Sequence, residues 1–194
     1  MRSLHALLLA ALFAPGLLAQ TTAKQVYEQL LAAPLDKSGD QDAQVKAAKA
    51  ILEQQGPLLA EGDGLHYRAR IQVLARTPWQ DVLASYLAHA EARPDAALVN
   101  DSLVLAAQIL HGRKKDWAGA QKLLAKVKSD QLADATRPTY DSLVLWTASD
   151  GAHAALIGKP APDFEAVRVL QGPAKFTLQS LRGKVVLLEF WATW

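Results

Sequence analysis

Between Thr21 and about Asp150, apolar side chains return every three or four residues and turn signals interrupt them at short intervals, a rhythm that admits helices and little else. Val26, Leu30 and Leu31 share the first face, which Pro34 closes. Asp40 and Asp42 open a second helix carrying Val45, Ala48 and Leu52, ended by Gly56-Pro57. Gly62 and Gly64 mark a turn before the stripe Tyr67, Ile71 and Leu74. Thr77-Pro78 reads as an N-cap with proline at the first helical position, followed by Val82, Leu83, Tyr86 and Leu87. Pro94-Asp95 starts another helix with Leu98, Ser102, Leu105 and Ile109 in line, and Trp117, Ala120, Leu124 and Val127 make the most regular stripe. About six or seven helices of roughly 10 to 18 residues, joined by short loops, amount to an all-α array of antiparallel hairpins.

The pentapeptide DSLVL occurs at Asp101 to Leu105 and again at Asp141 to Leu145. With the DWAGAQKLL stretch from Asp116, it resembles tetratricopeptide-type helix pairs; a helical layer without true repeats is the alternative, because AAQIL follows one copy and WTASD the other. The acidic stretch Asp36 to Asp42 is spaced like the start of a calcium loop but lacks its sixth-position glycine and twelfth-position glutamate, so it reads as a loop with Asp40 as a helix cap. His66, His89, His111 and His153 fall in different segments with no four-residue pairing, and each reads as a surface or helix-end residue. Trp79, Trp117 and Trp146 read as rings sealing a core between helices. No catalytic constellation is visible in residues 21–150.

Basic and acidic residues number 21 and 19 and are interleaved, giving a formal charge of +2. Phosphate binding needs a clustered basic face, and the sole run, Arg113 to Lys115, reads as a solvated helix end, so a nucleic-acid partner is not expected. The chain holds no cysteine, which excludes a disulfide framework and thiolate metal sites within it, and no cofactor is indicated. Met1-Arg2 followed by the uncharged Leu/Ala stretch Ala6 to Ala19 has the form of an export signal cut after Ala19. That stretch is shorter than the about 20 residues a span requires, and Pro15 interrupts it, so no stable membrane span is expected after cleavage. The expected location is the periplasm or the exterior.

At Gly158 the punctuation changes. GKPAPDF, Gly158 to Phe164, forbids helix and favours an extended lead-in. Phe164 to Leu170 alternates, Gln171 to Ala174 is a turn and Lys175 to Leu178 returns, which reads as a hairpin. After a one-turn connector, Ser180 to Gly183, comes KVVLLEFW, apolar on both faces from Val185 to Leu188, as expected of a central strand covered on both sides. Burial of its six large apolar side chains represents about 10 kcal/mol or more, at roughly 1.5 to 3 kcal/mol each, comparable to the whole net stability of a domain. This segment is therefore expected to be the front of a larger sheet that continues past Trp194.

IGKPAPDF followed by TLQSLRGKVVLLEFWATW resembles the opening of a thioredoxin-like domain, specifically the TlpA-type thiol-disulfide oxidoreductases within the wider redoxin group. The resemblance covers residues 156–194 and implies that Cys-x-x-Cys, at the start of a helix, follows Trp194 directly. It further implies that Glu189 corresponds to a buried carboxylate that relays a proton beneath the cysteine pair, a position more often Asp or Asn. A lone carboxyl in an apolar strand should also be desolvated on physical grounds; an edge-facing, solvated Glu189 is the alternative. By the same resemblance Trp191 and Trp194 flank the redox site and shape partner access. Peroxiredoxins share the lead-in but carry a proline and threonine ahead of a lone cysteine, and FWATW lacks them.

The expected fold class is thus mainly α, with a signal peptide at 1–19, an α-helical domain at 20–155, and the hairpin and central strand of an incomplete α/β thioredoxin-like domain at 156–194. The expected function is an exported thiol-disulfide oxidoreductase acting on protein thiols and disulfides, with the 194-residue chain itself redox-inactive and the helical region available to a protein partner. A helical protein-binding scaffold with a degenerate thioredoxin-like appendage, and a peroxiredoxin-type peroxidase, are the alternatives.

Overall fold

The computed structural model describes residues 21–32, 41–161, 177–187 and 189, and the chain divides into two compact units, Met1–Gly151 and Ala152–Trp194. The described residues are mainly helical: α1 (Ala23–Ala32), α2 (Gln41–Gln54), α3 (Gly64–Leu74), α4 (Trp79–Ala92), α5 (Val99–Ile109), α6 (Trp117–Leu124) and α7 (Arg137–Ala154). Short 3-10 turns at Pro57–Leu59, Ser129–Gln131 and Leu178–Leu181, and one π turn at Leu110–Lys114, punctuate them.

Local chemistry sets the helix ends. Thr22 and Gln25 cap α1 reciprocally: the Gln25 amide donates to Thr22 Oγ1 at 3.2 Å and the Thr22 amide to Gln25 Oε1 at 2.8 Å. Asp116 caps α6 by accepting from the Gly119 amide at 2.8 Å. Before α3 the chain turns at Gly62, whose φ of +56° favours glycine, and at Gly64, where a Cβ would run into the Leu58 carbonyl. Pro78, with an extended ψ, occupies the cap of α4. The expected cap, Thr77, instead closes α3 by donating its amide to the Gln72 carbonyl at 3.0 Å. Pro94-Asp95 does not start α5: a string of i to i+3 turns, Ala96 to Arg93 and Val99 to Ala96, carries the chain to Leu98 first.

Consecutive helices pack on one another, α2 on α3, α3 on α4, α4 on α5 and α5 on α6, while α1 lies against α3. Val26, Leu30, Ala48, Ile51, Leu59 and Ile71 form one apolar cluster, and Val104, Ala107, Leu124, Leu132 and Leu143 another. Ala69, Val82, Tyr86 and Ala106 join α3, α4 and α5 between them. Helix α5 is buried on nearly every face, from Val99 through Val104 and again at Ala106 and Ala107. The two DSLVL copies therefore occupy unlike environments. Val104 of the first is fully buried, whereas its counterpart Val144 is 43% exposed and Leu145 is 71% exposed. True tandem repeats place matching residues in matching contacts.

Leu31 and Leu87, read as core, are exposed, and Trp146 projects largely into solvent rather than sealing a core. Arg113 to Lys115 form an exposed helix end, as expected. Among the described residues no helix is long and apolar enough to cross a membrane.

In the second unit Thr177 and Ser180 cap the turn Leu178–Leu181 reciprocally, close to the one-turn connector read in the sequence. The expected β-hairpin is not seen: most of it lies outside the described residues, and these contain no strand. The expected central strand is corrected at its described positions. Val185, Val186, Leu187 and Glu189 are not in a strand, and Val185 and Leu187 are fully or nearly fully exposed. A strand persists only where its amides and carbonyls meet a neighbouring strand, and among the described residues the β pattern is limited to an isolated bridge at Thr177.

Replacing Val104 or Ile71 by alanine is expected to lower stability by about 1 to 4 kcal/mol, while Leu145→Ala stays within about 0.5 kcal/mol. Urea unfolding followed by circular dichroism measures both; equal losses at the three positions would contradict the burial described.

Candidate functional site

Three helices meet over a continuous chain of polar side chains in the first unit. His66 is on α3, His89 on α4 and Ser102 on α5, and all three are buried. Ser102 Oγ lies 2.7 Å from His66 Nδ1 and 2.9 Å from His89 Nδ1. On its far side His89 Nε2 reaches Asp63 Oδ1 at 3.4 Å, at the half-exposed start of α3. The helical period explains the positions: His89 falls on the stripe of Val82 and Tyr86, and His66 stands three residues before buried Ala69.

One proton arrangement is consistent with all three contacts. His89 Nε2–H donates to Asp63, which leaves Nδ1 free to accept from the Ser102 hydroxyl, and Ser102 Oγ in turn accepts from His66 Nδ1–H. Burial drives the His66 pKa down to about 4, helped by the nearby His89 and Arg70 and opposed by Asp63. The edges of its ring meet Tyr67 at 5.2 Å and Tyr86 at 5.8 Å, which closes the apolar shell.

A serine, two histidines and an aspartate invite comparison with a hydrolytic triad, but Ser102 is completely buried, so no acyl group can reach its oxygen. The arrangement links a half-exposed carboxylate to His66, which lines a cavity of about 270 Å³ between α1, α3 and the segment before α7. Tyr27, Tyr67, Arg70, Asp101 and Thr136 also line that cavity. Burial and the adjacent Glu28 raise the Tyr67 pKa, so its phenol stays protonated. Arg70 is engaged, donating from Nε and Nη2 to Tyr27 Oη at 3.0 and 2.9 Å. Asp101 Oδ1 is buried with no hydrogen-bond partner.

A larger groove of about 580 Å³ runs along α4 and α5 past Leu87, Val99 and Leu123. Its buried polar group is already used: Asn100 accepts from the Lys128 amide at 2.9 Å and donates to Gln131 at 3.2 Å. The smaller cavity is thus the chemically unsatisfied one. Elsewhere His111 Nε2 meets Asp150 Oδ2 at 2.7 Å, with its ring stacked on Trp146.

Of the residues that the sequence points to, Glu189 is exposed, so its expected burial in an apolar strand is not found, and Trp191 and Trp194 lie outside the described residues. No protein-family model, curated protein or solved structure matches the chain.

Because the folded chain resists protonating His66 while an unfolded histidine accepts a proton near pH 6.5, the unfolded state gains on acidification. The His66 contribution to stability is complete above pH 6.5 and is lost as pH falls toward about 4, on the order of 3 kcal/mol in all. A His66→Asn variant should lose that part of the slope in denaturant titrations run from pH 7 to pH 4. Ser102→Ala strands two imidazole nitrogens and is expected to destabilise by about 2 kcal/mol or more, against a smaller loss for Asp63→Asn at the half-exposed end.

Proposed function

We propose that this chain belongs to an exported thiol-disulfide oxidoreductase, in which residues 156–194 open a thioredoxin-like redox domain and the helical unit is an accessory, partner-binding module. The observation that carries this reading is the ordered run GKPAPDF, LRGKVVLLEF and WATW at family-like spacing. The leader Met1 to Ala19 supports export. The helical unit supports the accessory role, since its apolar clusters are built from its own helices.

The reaction runs through a cysteine pair beyond Trp194. One thiolate, its charge favoured by a helix N-terminus, attacks a partner disulfide; a mixed disulfide forms and the partner's second sulfur leaves as thiolate. The second cysteine then displaces the partner, which departs reduced while the enzyme's pair is oxidised. Glu189 relays a proton in this scheme only if neighbouring elements of the redox domain desolvate it, and Trp191 and Trp194 border the sulfurs.

A protein-binding scaffold is the second reading, favoured by the exposed Val144, Leu145 and Trp146 on α7. The unlike settings of the two DSLVL copies support a single non-repeating helical module rather than a tetratricopeptide array in either case.

Codons read past Trp194 are expected to encode Cys-x-x-Cys at once, and the extended protein should reduce insulin disulfides with dithiothreitol as donor. The 194-residue chain, which has no thiol, should not. A continuation without cysteines selects the scaffold, and a lone cysteine with peroxide turnover selects a peroxidase.

A further inference from the structure

Asp101 is the only acidic side chain among the described residues that is fully buried, at 3% exposure, and its Oδ1 has no partner. An unpaired carboxylate in such a place is costly unless something completes it. It stands in the first turn of α5, near the helix N-terminus. The positive groups lining the same cavity are committed elsewhere. Arg70 makes its two hydrogen bonds to Tyr27, and Lys24, on the exposed rim, pairs with Glu28 at 3.7 Å. His66 holds its Nδ1 against Ser102.

From this arrangement we infer that the cavity between α1, α3 and the segment before α7 is a binding site for a small organic primary amine, whose ammonium group pairs with Asp101. A divalent metal is the weaker fit, because no three His, Cys, Asp or Glu side chains converge among the described residues. The walls favour an organic cation. Tyr27 and Tyr67 stand with ring centroids 5.8 Å apart and tilted by 42°, an aromatic surface suited to methylene groups; the Arg70 guanidinium already lies 5.0 Å from the Tyr27 centroid, which leaves the Tyr67 ring to face a ligand's cation. The Thr136 side chain adds a hydroxyl to the same lining. A volume of about 270 Å³ lies just below the usual range for ligand sites, about 300 to 1,000 Å³, so the ligand is a single small molecule rather than a peptide. This site is independent of the redox reading, since every residue in it belongs to the first unit.

The test compares 2-phenylethylamine, 2-phenylethanol and phenylacetate, which share a ring and differ in the charge of the end group, by calorimetric and NMR titration of the whole chain. The amine should bind saturably, the alcohol at least about tenfold more weakly, and the acid not at all up to about 10 mM. Asp101→Asn, nearly isosteric, should weaken amine binding at least about tenfold without lowering the melting temperature, since it removes an unpaired buried charge. Equal affinity for amine and alcohol, preference for the acid, no amine binding up to about 10 mM, or full binding by a folded Asp101→Asn variant would each overturn the proposal. Should that variant fail to fold, the ranking of the three compounds on the unmodified chain decides alone.

Discussion

The helical unit depends on satisfying the polar first turn of a helix that is buried on nearly every face. Helix α5 enters the interior with Asn100, Asp101 and Ser102 in sequence, all of them buried. Burying polar groups is tolerable only when each finds a hydrogen bond, so the surroundings of α5 are constrained beyond the demand for apolar fit. Asn100 is met by the Lys128 amide and Gln131 in the connection that follows α6, and Ser102 by one imidazole from each of the two preceding helices. A single hydroxyl thereby ties α3, α4 and α5 together at a point where apolar contact alone would leave their rotation loosely specified. Asp101 breaks the pattern, and the cavity lies beside it.

The two units carry different kinds of chemical information. In the first, the polar centre is explicit: buried imidazoles, a bridging hydroxyl, a half-exposed carboxylate and a cavity with one unsatisfied oxygen. In the second, the information is a run of residue types whose expected partners, a sheet and a cysteine-bearing helix, do not occur among the described residues. Val185 and Leu187, exposed here, are the sort of side chains that a sheet covered on both faces would remove from water.

Much of the helical architecture was legible from spacing. The stripes through Val26 and Leu30, Tyr67 and Ile71, Val82 and Tyr86, and Ala120 and Leu124 each lie on a helix and turn inward, at least in part, in the structure. The errors share a cause. Leu31 and Leu87 are apolar enough to be core, but each sits at the edge of its stripe, and Trp146, read as sealing a core, lies on a largely uncovered face of α7, so that exposure depends on how close the next helix comes. His66 and His89, read as surface or helix-end residues, are buried, although the three-residue step from Tyr86 to His89 along a buried stripe was a signal that favoured the interior; His153 is exposed in the last turn of its helix, as read. The start of α5 was misplaced because Pro94 can begin a run of turns as readily as a helix.

What the sequence determined by itself was the helical period of residues 21–150 and the absence of thiols, because period is a property of local backbone geometry and composition needs no fold. What only the tertiary structure decided was which polar side chains become partners. Ser102 and His89 are separated by 13 positions and Ser102 and His66 by 36, so no local pattern connects them. Their pairing follows from the order in which helices stack around α5, and that order is chosen by the fit of whole surfaces and the need to leave few buried donors and acceptors alone.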